Sequence, residues 1–266
     1  MTAGVAYNDC DRSACEWLRQ LASDGAISDG TIIEGSIHDL QPAHLVGFTR
    51  VHLFAGIGGW ELALQLAGWP ESVPVWAGSC PCQPFSTAGM GLGTADHRHL
   101  WPEMLRLVRE CRPPVVFGEQ VASAAGRAWC AGVRADMEAL GYAFGAADLC
   151  AAGVGAPHIR QRLYWVATRV GHAHGTGSQG HGEASMHVPG ELPSWSPGHL
   201  VGCTDGAQRR IGVEPSVHPL ADGVPGRVGL LRGYGNAIVP PLAAVFVRSV
   251  MDSIDRAALA SIENGA

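Results

Sequence analysis

The 266-residue chain contains no lysine; all 18 of its basic residues are arginine. Charge of either sign is scarce, at 16% of residues, and no block of like charge stands out. The formal net charge of −6 excludes a generally basic nucleic-acid coat, so any DNA contact has to come from local Arg clusters. Two causes of the missing lysine stay open: a GC-rich coding bias, and the suitability of Arg for bidentate phosphate and guanine contacts. No run of 18 apolar residues exists, so no membrane span is expected. The N-terminus lacks a basic-then-apolar signal pattern, and a cytoplasmic protein is expected. The eight Cys are irregularly spaced, which suggests reduced thiols and not a disulfide framework. The His cluster from His172 to His199 fits no zinc spacing; it reads as a Gly/His-rich loop, and no metal is expected.

What is present is apolar patterning. Hydrophobic residues make up 47% of the chain, enough for the core of one large α/β domain. Short apolar runs alternate with helical periodicity from Met1 to Val166. Strands are expected at "GVAY", "RVHLF", "VPVWAG", "PPVVFGEQ", "YAFGAADL" and "RLYWVA". Helices are expected near Ser13–Ala22, Trp60–Leu66 and Pro102–Arg109, and around Val133, Met137 and Leu140. A last helix is expected from Pro241 to Ala257. This alternation predicts a doubly wound, mostly parallel sheet in an α/β fold. Val170 to Gly226 is Gly-, His-, Ser- and Pro-rich and reads as a small, irregular, loop-dominated region. The expected division is a catalytic domain at 1–167, the irregular region at 168–226, and a returning segment at 227–266.

Four stretches carry chemistry. In "VHLFAGIGGWELALQLAG", Gly56, Gly58 and Gly59 allow a tight turn between a strand and a helix. Amides at such a helix start hold anionic groups, and Phe54 is placed to stack on a flat ring. In "GSCPCQPFSTAGMGLG", Cys82 lies just past a strand end, where open α/β sheets place ligands. It is a candidate nucleophile; its alternative is a buried small residue, and Cys80 is the internal control. Gly89 to Gly93 reads as a mobile lid. In "PPVVFGEQVAS", Glu119 follows an apolar strand and is therefore expected on the same sheet edge as Cys82. Burial should raise its pKa and let it donate a proton, unless it simply caps a helix. In "GAPHIRQRLYWVA", Arg160 and Arg162 alternate and so face one side, toward a phosphate, a pyrimidine carbonyl or only solvent.

"FAGIGG", "PCQPFS", "EQV", "RQRLYWVA" and "GYGNAIVPPLA" occur in the order of the motif set of DNA cytosine-5 methyltransferases, and the chain resembles that family over 50–167 and 227–250. The resemblance implies a Rossmann-like fold, S-adenosylmethionine as cofactor and double-stranded DNA as partner. It implies that Cys82 attacks C6 of a flipped-out cytosine, that Glu119 binds N3 and the amino group, and that Arg160 and Arg162 support the base and adduct. Pro81, Gln83 and Ser86 would flank the base. Phe54, Ala55, Gly56, Ile57, Gly58 and Gly59, with Asn236 and Ala237, would line the cofactor pocket.

Two departures follow. The family carries about sixty residues between its first two motifs, including acidic cofactor ligands; here a short helix and strand stand there. "YNDCDRSACEWLRQL" and "EGSIHDL" look like the missing module, permuted to residues 1–49. Asp9 and Cys10 would then face the cofactor ribose, and Ser36 and Ile37 the adenine. The alternative is an unrelated N-terminal cap. The second departure is the short region 168–226, in which Arg209 and Arg210 are the candidates for base or phosphate contacts, and Trp195 for an anchor. The expectation is a monomeric DNA-modifying enzyme of phage or bacterial type, without a nuclease domain in the chain. The competing readings are tRNA methylation by the same chemistry and a silent DNA-binding remnant.

Overall fold

A computed structural model describes residues 4–81, 100–156, 158–169, 198–202, 208–212 and 237–254, with 198–202 and 208–212 described as backbone only. Cys82, Gln83, Ser86, Asn236 and Trp195, the Gly89–Gly93 segment and His172 to His187 lie outside the described residues, as do the side chains of His199, Arg209 and Arg210.

Seven strands form one sheet: β1 (Gly4–Asp9), β2 (Thr31–Glu34), β3 (Phe48–Leu53), β4 (Val75–Gly78), β5 (Val115–Val121), β6 (Tyr142–Cys150) and β7 (Gln161–Arg169). Their spatial order is β2-β1-β3-β4-β5-β7-β6. β2 through β5 run parallel, whereas β7 is antiparallel to both β5 and β6. The mostly parallel α/β fold is therefore as expected. A separate hairpin pairs β8 (Gly198–Gly202) with β9 (Gln208–Gly212), which carries Arg209 and Arg210.

Helices cover both faces. α1 (Arg12–Ser23) is capped by Asp11, whose carboxylate accepts the amides of Ser13 and Ala14. It packs Leu18 against Tyr7 and Ile27. α2 (Gly59–Ala67) and α5 (Pro240–Ser253) lie on one side of the sheet. They bury Trp60, Leu64 and Phe246 with Phe117 and Tyr164 of β5 and β7. α3 (Trp101–Cys111) and α4 (Ala124–Ala139) cover the opposite face, where Met104, Leu107, Val133 and Met137 meet Val116 and Trp165. Each such side chain contributes about 1.5–3 kcal/mol by leaving water. β4, at the centre of the sheet, is apolar and buried along its whole length because both faces are covered.

Three differences from expectation have local reasons. β7 runs to Arg169, past the boundary set at 167, because Arg169 N–H bonds to Pro114 C=O. β2 is a four-residue edge strand, too short for a periodic signal. α5 ends at Ser253, with Ile254 as its extended C-cap, short of the expected Ala257. No helix among the described residues is long and apolar enough to cross a membrane.

β1, α1 and β2 dock beside β3, and the connection from Gly35 to Gly47 returns past β1. The N-terminal unit is thus part of the main sheet and not a separate cap. All parallel strands end at the same edge, which fixes where a site can form.

Candidate active site

β3 ends at Leu53 and the chain turns sharply. Phe54 (φ 53°), Gly56 (φ 54°) and Gly58 (φ 76°) are left-handed, a conformation glycine adopts without strain and Phe54 adopts against its preference. A side-chain carbon added at Gly56 would meet nothing within 4 Å among the described residues. Gly59, the first residue of α2, is different: a Cβ there would stand 2.9 Å from Ile238 Cγ1, so this glycine admits the segment before α5.

The N-terminal unit supplies a carboxylate to this turn. Gly56 N–H donates to Asp9 Oδ2 at 2.8 Å, and Asp11 N–H donates to Asp9 Oδ1 at 2.9 Å. Ala55 N–H donates to Asn8 C=O, and the Asn8 amide donates to the carbonyls of Ile33 and Gly35 at 2.9 Å each. Asn8, buried and not singled out from the sequence, therefore clamps the carboxyl ends of β1 and β2 together. Ser36 caps a short 3-10 turn, its Oγ accepting the His38 amide at 3.3 Å. Ile37 is buried in the core, Ala55 and Ile57 are partly exposed, and Cys10 is exposed with its thiol pushed up by burial and by Asp9.

Beneath the turn lies a buried ionic group that the sequence did not reveal. Arg50 Nη1 donates to Glu61 Oε1 at 2.7 Å, and His52 Nε2 lies 2.8 Å from Glu61 Oε2. Glu61 is fully buried. Burial pushes its carboxyl up, but hydrogen bonding and charge from His52, with Ser28 and Arg50, outweigh this and bring it down to about 2. Tyr7 stacks on His52 with ring centroids 5.2 Å apart. The group locks α2 to β3, so the turn between them is held from below.

The second cluster sits at the carboxyl end of β5. Glu119 is 8% exposed, and its Oε1 accepts Arg162 Nε at 2.8 Å. Burial raises its carboxyl to about 7 against the opposing charges of Arg162 and Arg160. At neutral pH it is thus divided between acid and carboxylate, as a proton donor and acceptor requires. Register explains the pairing. Val121 faces Arg162 and Glu119 faces Tyr164 in the antiparallel β5–β7 ladder, so all four residues share one sheet face. Arg160, just before β7, donates from Nη2 to Ala237 C=O at 2.6 Å. Gln120 points to the other face, where its Oε1 accepts the Val121 amide.

β4 ends at Gly78 beside β5, and the chain reaches exposed Pro81. Cys80 is buried, with Sγ 3.9 Å from Met104 Sδ, and burial drives its thiol far above the usual range. A thiol so placed is inert. The described Cys10, Cys15, Cys80, Cys111, Cys130 and Cys150 are all free.

A family model of C-5 cytosine-specific DNA methylases matches residues 69–190. The type II methyltransferase M.HhaI of Haemophilus parahaemolyticus is 30% identical over 170 residues, spanning 49% of this chain and 52% of that protein. M.NgoMIV of Neisseria gonorrhoeae is 32% identical over 117 residues, spanning 44% of this chain and 28% of its own. The chain thus spans about half the length of M.HhaI or less of these curated relatives. Among solved structures, Spodoptera frugiperda DNMT2 aligns with a TM-score of 0.42 at 17% identity, over 62% of this chain and 42% of that one.

Proposed function

We propose that the chain, whose residues 69–190 match a model of C-5 cytosine-specific DNA methylases, methylates C5 of cytosine in double-stranded DNA, acting as a cytoplasmic monomer. The observation that carries this reading is the buried Glu119–Arg162 pair, a carboxyl poised near neutrality on β5, the strand beside β4.

The residues at the other end of that edge fit a nucleoside cofactor such as S-adenosylmethionine. No described residue lies within 4 Å of where a Gly56 side chain would stand, and the Asp9 carboxylate beside the turn has lone pairs left for hydroxyl donors. Phe54 is partly exposed at the same place. Bound there, S-adenosylmethionine would supply an electrophilic methyl group.

The protein's own residues supply the rest. The Cys82 thiolate adds to C6 of the extruded base, forming a C–S bond and moving an electron pair toward C5. Glu119 places its proton at N3, neutralising the charge that the addition would leave there. Arg162 holds Glu119 in place and offers its remaining N–H donors to the pyrimidine carbonyl. Once C5 is substituted, loss of its proton to solvent and elimination of the Cys82 sulfur restore the aromatic ring and the free thiolate, and N3 returns its proton to Glu119.

Bisulfite sequencing of duplex DNA treated with the protein and S-adenosylmethionine tests the proposal. Protected cytosines at a recurring sequence are expected with the wild type and not with Cys82→Ser. Incorporation into tRNA alone, or no protection at all, would overturn it.

A further inference from the structure

Arg160, expected with Arg162 to support the base, makes a contact of another kind. Its charge acts on Glu119, yet the hydrogen bond recorded for its Nη2 runs to Ala237 C=O, across 77 residues of chain. Ala237 opens a short extended segment, 237–239, that leads into α5. Its next residue, Ile238, is buried and lies against Gly59 at the start of α2, directly after the Gly56 turn. Its third, Val239, is buried in the same core cluster as Tyr164, the residue opposite Glu119 in the β5–β7 ladder. One short segment therefore touches the Glu119 end of β7 on one side and the start of α2 on the other.

We propose that Arg160 is a positioning residue, a latch that holds segment 237–239 between the Glu119 cluster and the Gly56 turn so that both keep one spacing. This deepens the proposed function and rests on it. Chemically, the bond asks for one N–H donor on one carbonyl, which an ammonium also supplies. A planar, bidentate contact with a base would not tolerate that exchange. The far end of α5 has its own anchor, the bond from Arg248 Nη2 to Leu66 C=O at the other end of α2. Arg248 thus fastens the same helix away from both clusters, which makes it the control.

The test compares the full chain with Arg160→Ala, Arg160→Lys and Arg248→Ala. Calorimetry gives the S-adenosylmethionine affinity, titration gives duplex affinity, and amide hydrogen exchange reports on residues 59–64 and 238–245. Loss of a charge-assisted bond predicts that Arg160→Ala weakens S-adenosylmethionine binding about tenfold. Duplex affinity should stay within about twofold of wild type, and exchange should quicken at both segments. Arg160→Lys should recover most of the loss. Arg248→Ala should quicken exchange only toward the end of α5 and leave cofactor affinity unchanged. The latch is overturned if Arg160→Ala leaves exchange at 59–64 and 238–245 as in wild type, whatever happens to DNA. It is also overturned if Arg248→Ala lowers cofactor affinity equally, since Arg160 would then only stabilise a helix. A wild type that binds no S-adenosylmethionine would refute the cofactor assignment, and the exchange data would still decide the latch.

Discussion

The carboxylate of Asp9, at the end of the first strand, accepts the amide of Gly56, in the turn after the third strand, at 2.8 Å. The two residues are 47 positions apart in sequence, and β1 and β3 are hydrogen-bonded neighbours. The β1-α1-β2 unit is therefore built into the edge of the sheet beside the Gly-rich turn. β-α-β units dock by burying faces, so chain order does not dictate spatial order.

Replacing Asp9 separates its two duties. Asp9→Asn keeps an acceptor for Gly56 and removes the charge. It should shift the urea midpoint little while weakening S-adenosylmethionine binding at least about tenfold, the worth of a charged hydrogen bond. Calorimetry on the folded variant reads this directly; unchanged affinity would remove Asp9 from the cofactor pocket.

Glu119 ties activity and stability to pH. Its folded-state carboxyl lies near 7, above the ordinary value of 4.5. The native protein therefore holds a proton that the unfolded chain has released. The stability this gives is fully present below pH 4.5 and is lost as pH rises through 7. Activity that needs the protonated acid should fall over the same upper range. Glu119→Gln should flatten the stability slope between these limits and cut turnover by about 10²-fold or more. A wild-type urea midpoint that rises between pH 5 and 7 with the slope unchanged in Glu119→Gln would contradict this.

Glu61 makes the opposite case. Its carboxyl is held down at about 2, so its contribution is present above the ordinary 4.5 and is lost as pH falls toward 2. Glu61→Gln leaves the Arg50 guanidinium buried without its counter-charge, at a cost of about 3–5 kcal/mol. Chemical denaturation at pH 7 measures it; a loss under about 1 kcal/mol would show that the group is dispensable.

The elements with strong periodicity were readable from the sequence. α3, with Met104 on its inner face, falls within two residues of expectation, and α4 buries the expected Val133 and Met137 but ends one residue before Leu140, its C-cap; Glu119 and Arg162 meet. What escaped depended on tertiary context. Arg50 and His52 alternate on β3 like the polar side of a half-exposed strand, and Glu61 reads as a solvent-facing acid in the first turn of α2. Only the packing of α2 onto β3 turns the three into one buried group. The bond from Arg160 to Ala237 is likewise invisible to spacing, because it joins segments that meet only once α5 has docked on α2. The antiparallel insertion of β7 between β5 and β6 leaves no mark on hydrophobicity, since a strand covered on both faces looks alike in either direction.

The central claim is that Cys82, and not its neighbour Cys80, forms a bond to the target base. A duplex bearing 5-fluorocytosine at the methylation site, incubated with the protein and S-adenosylmethionine, blocks the final elimination because fluorine cannot leave C5 as a proton does. Intact-mass and peptide mapping should find a stable adduct on Cys82, retained in Cys80→Ser and absent in Cys82→Ser. An adduct that survives Cys82→Ser, or none in a wild type that methylates the unmodified duplex, would contradict the account.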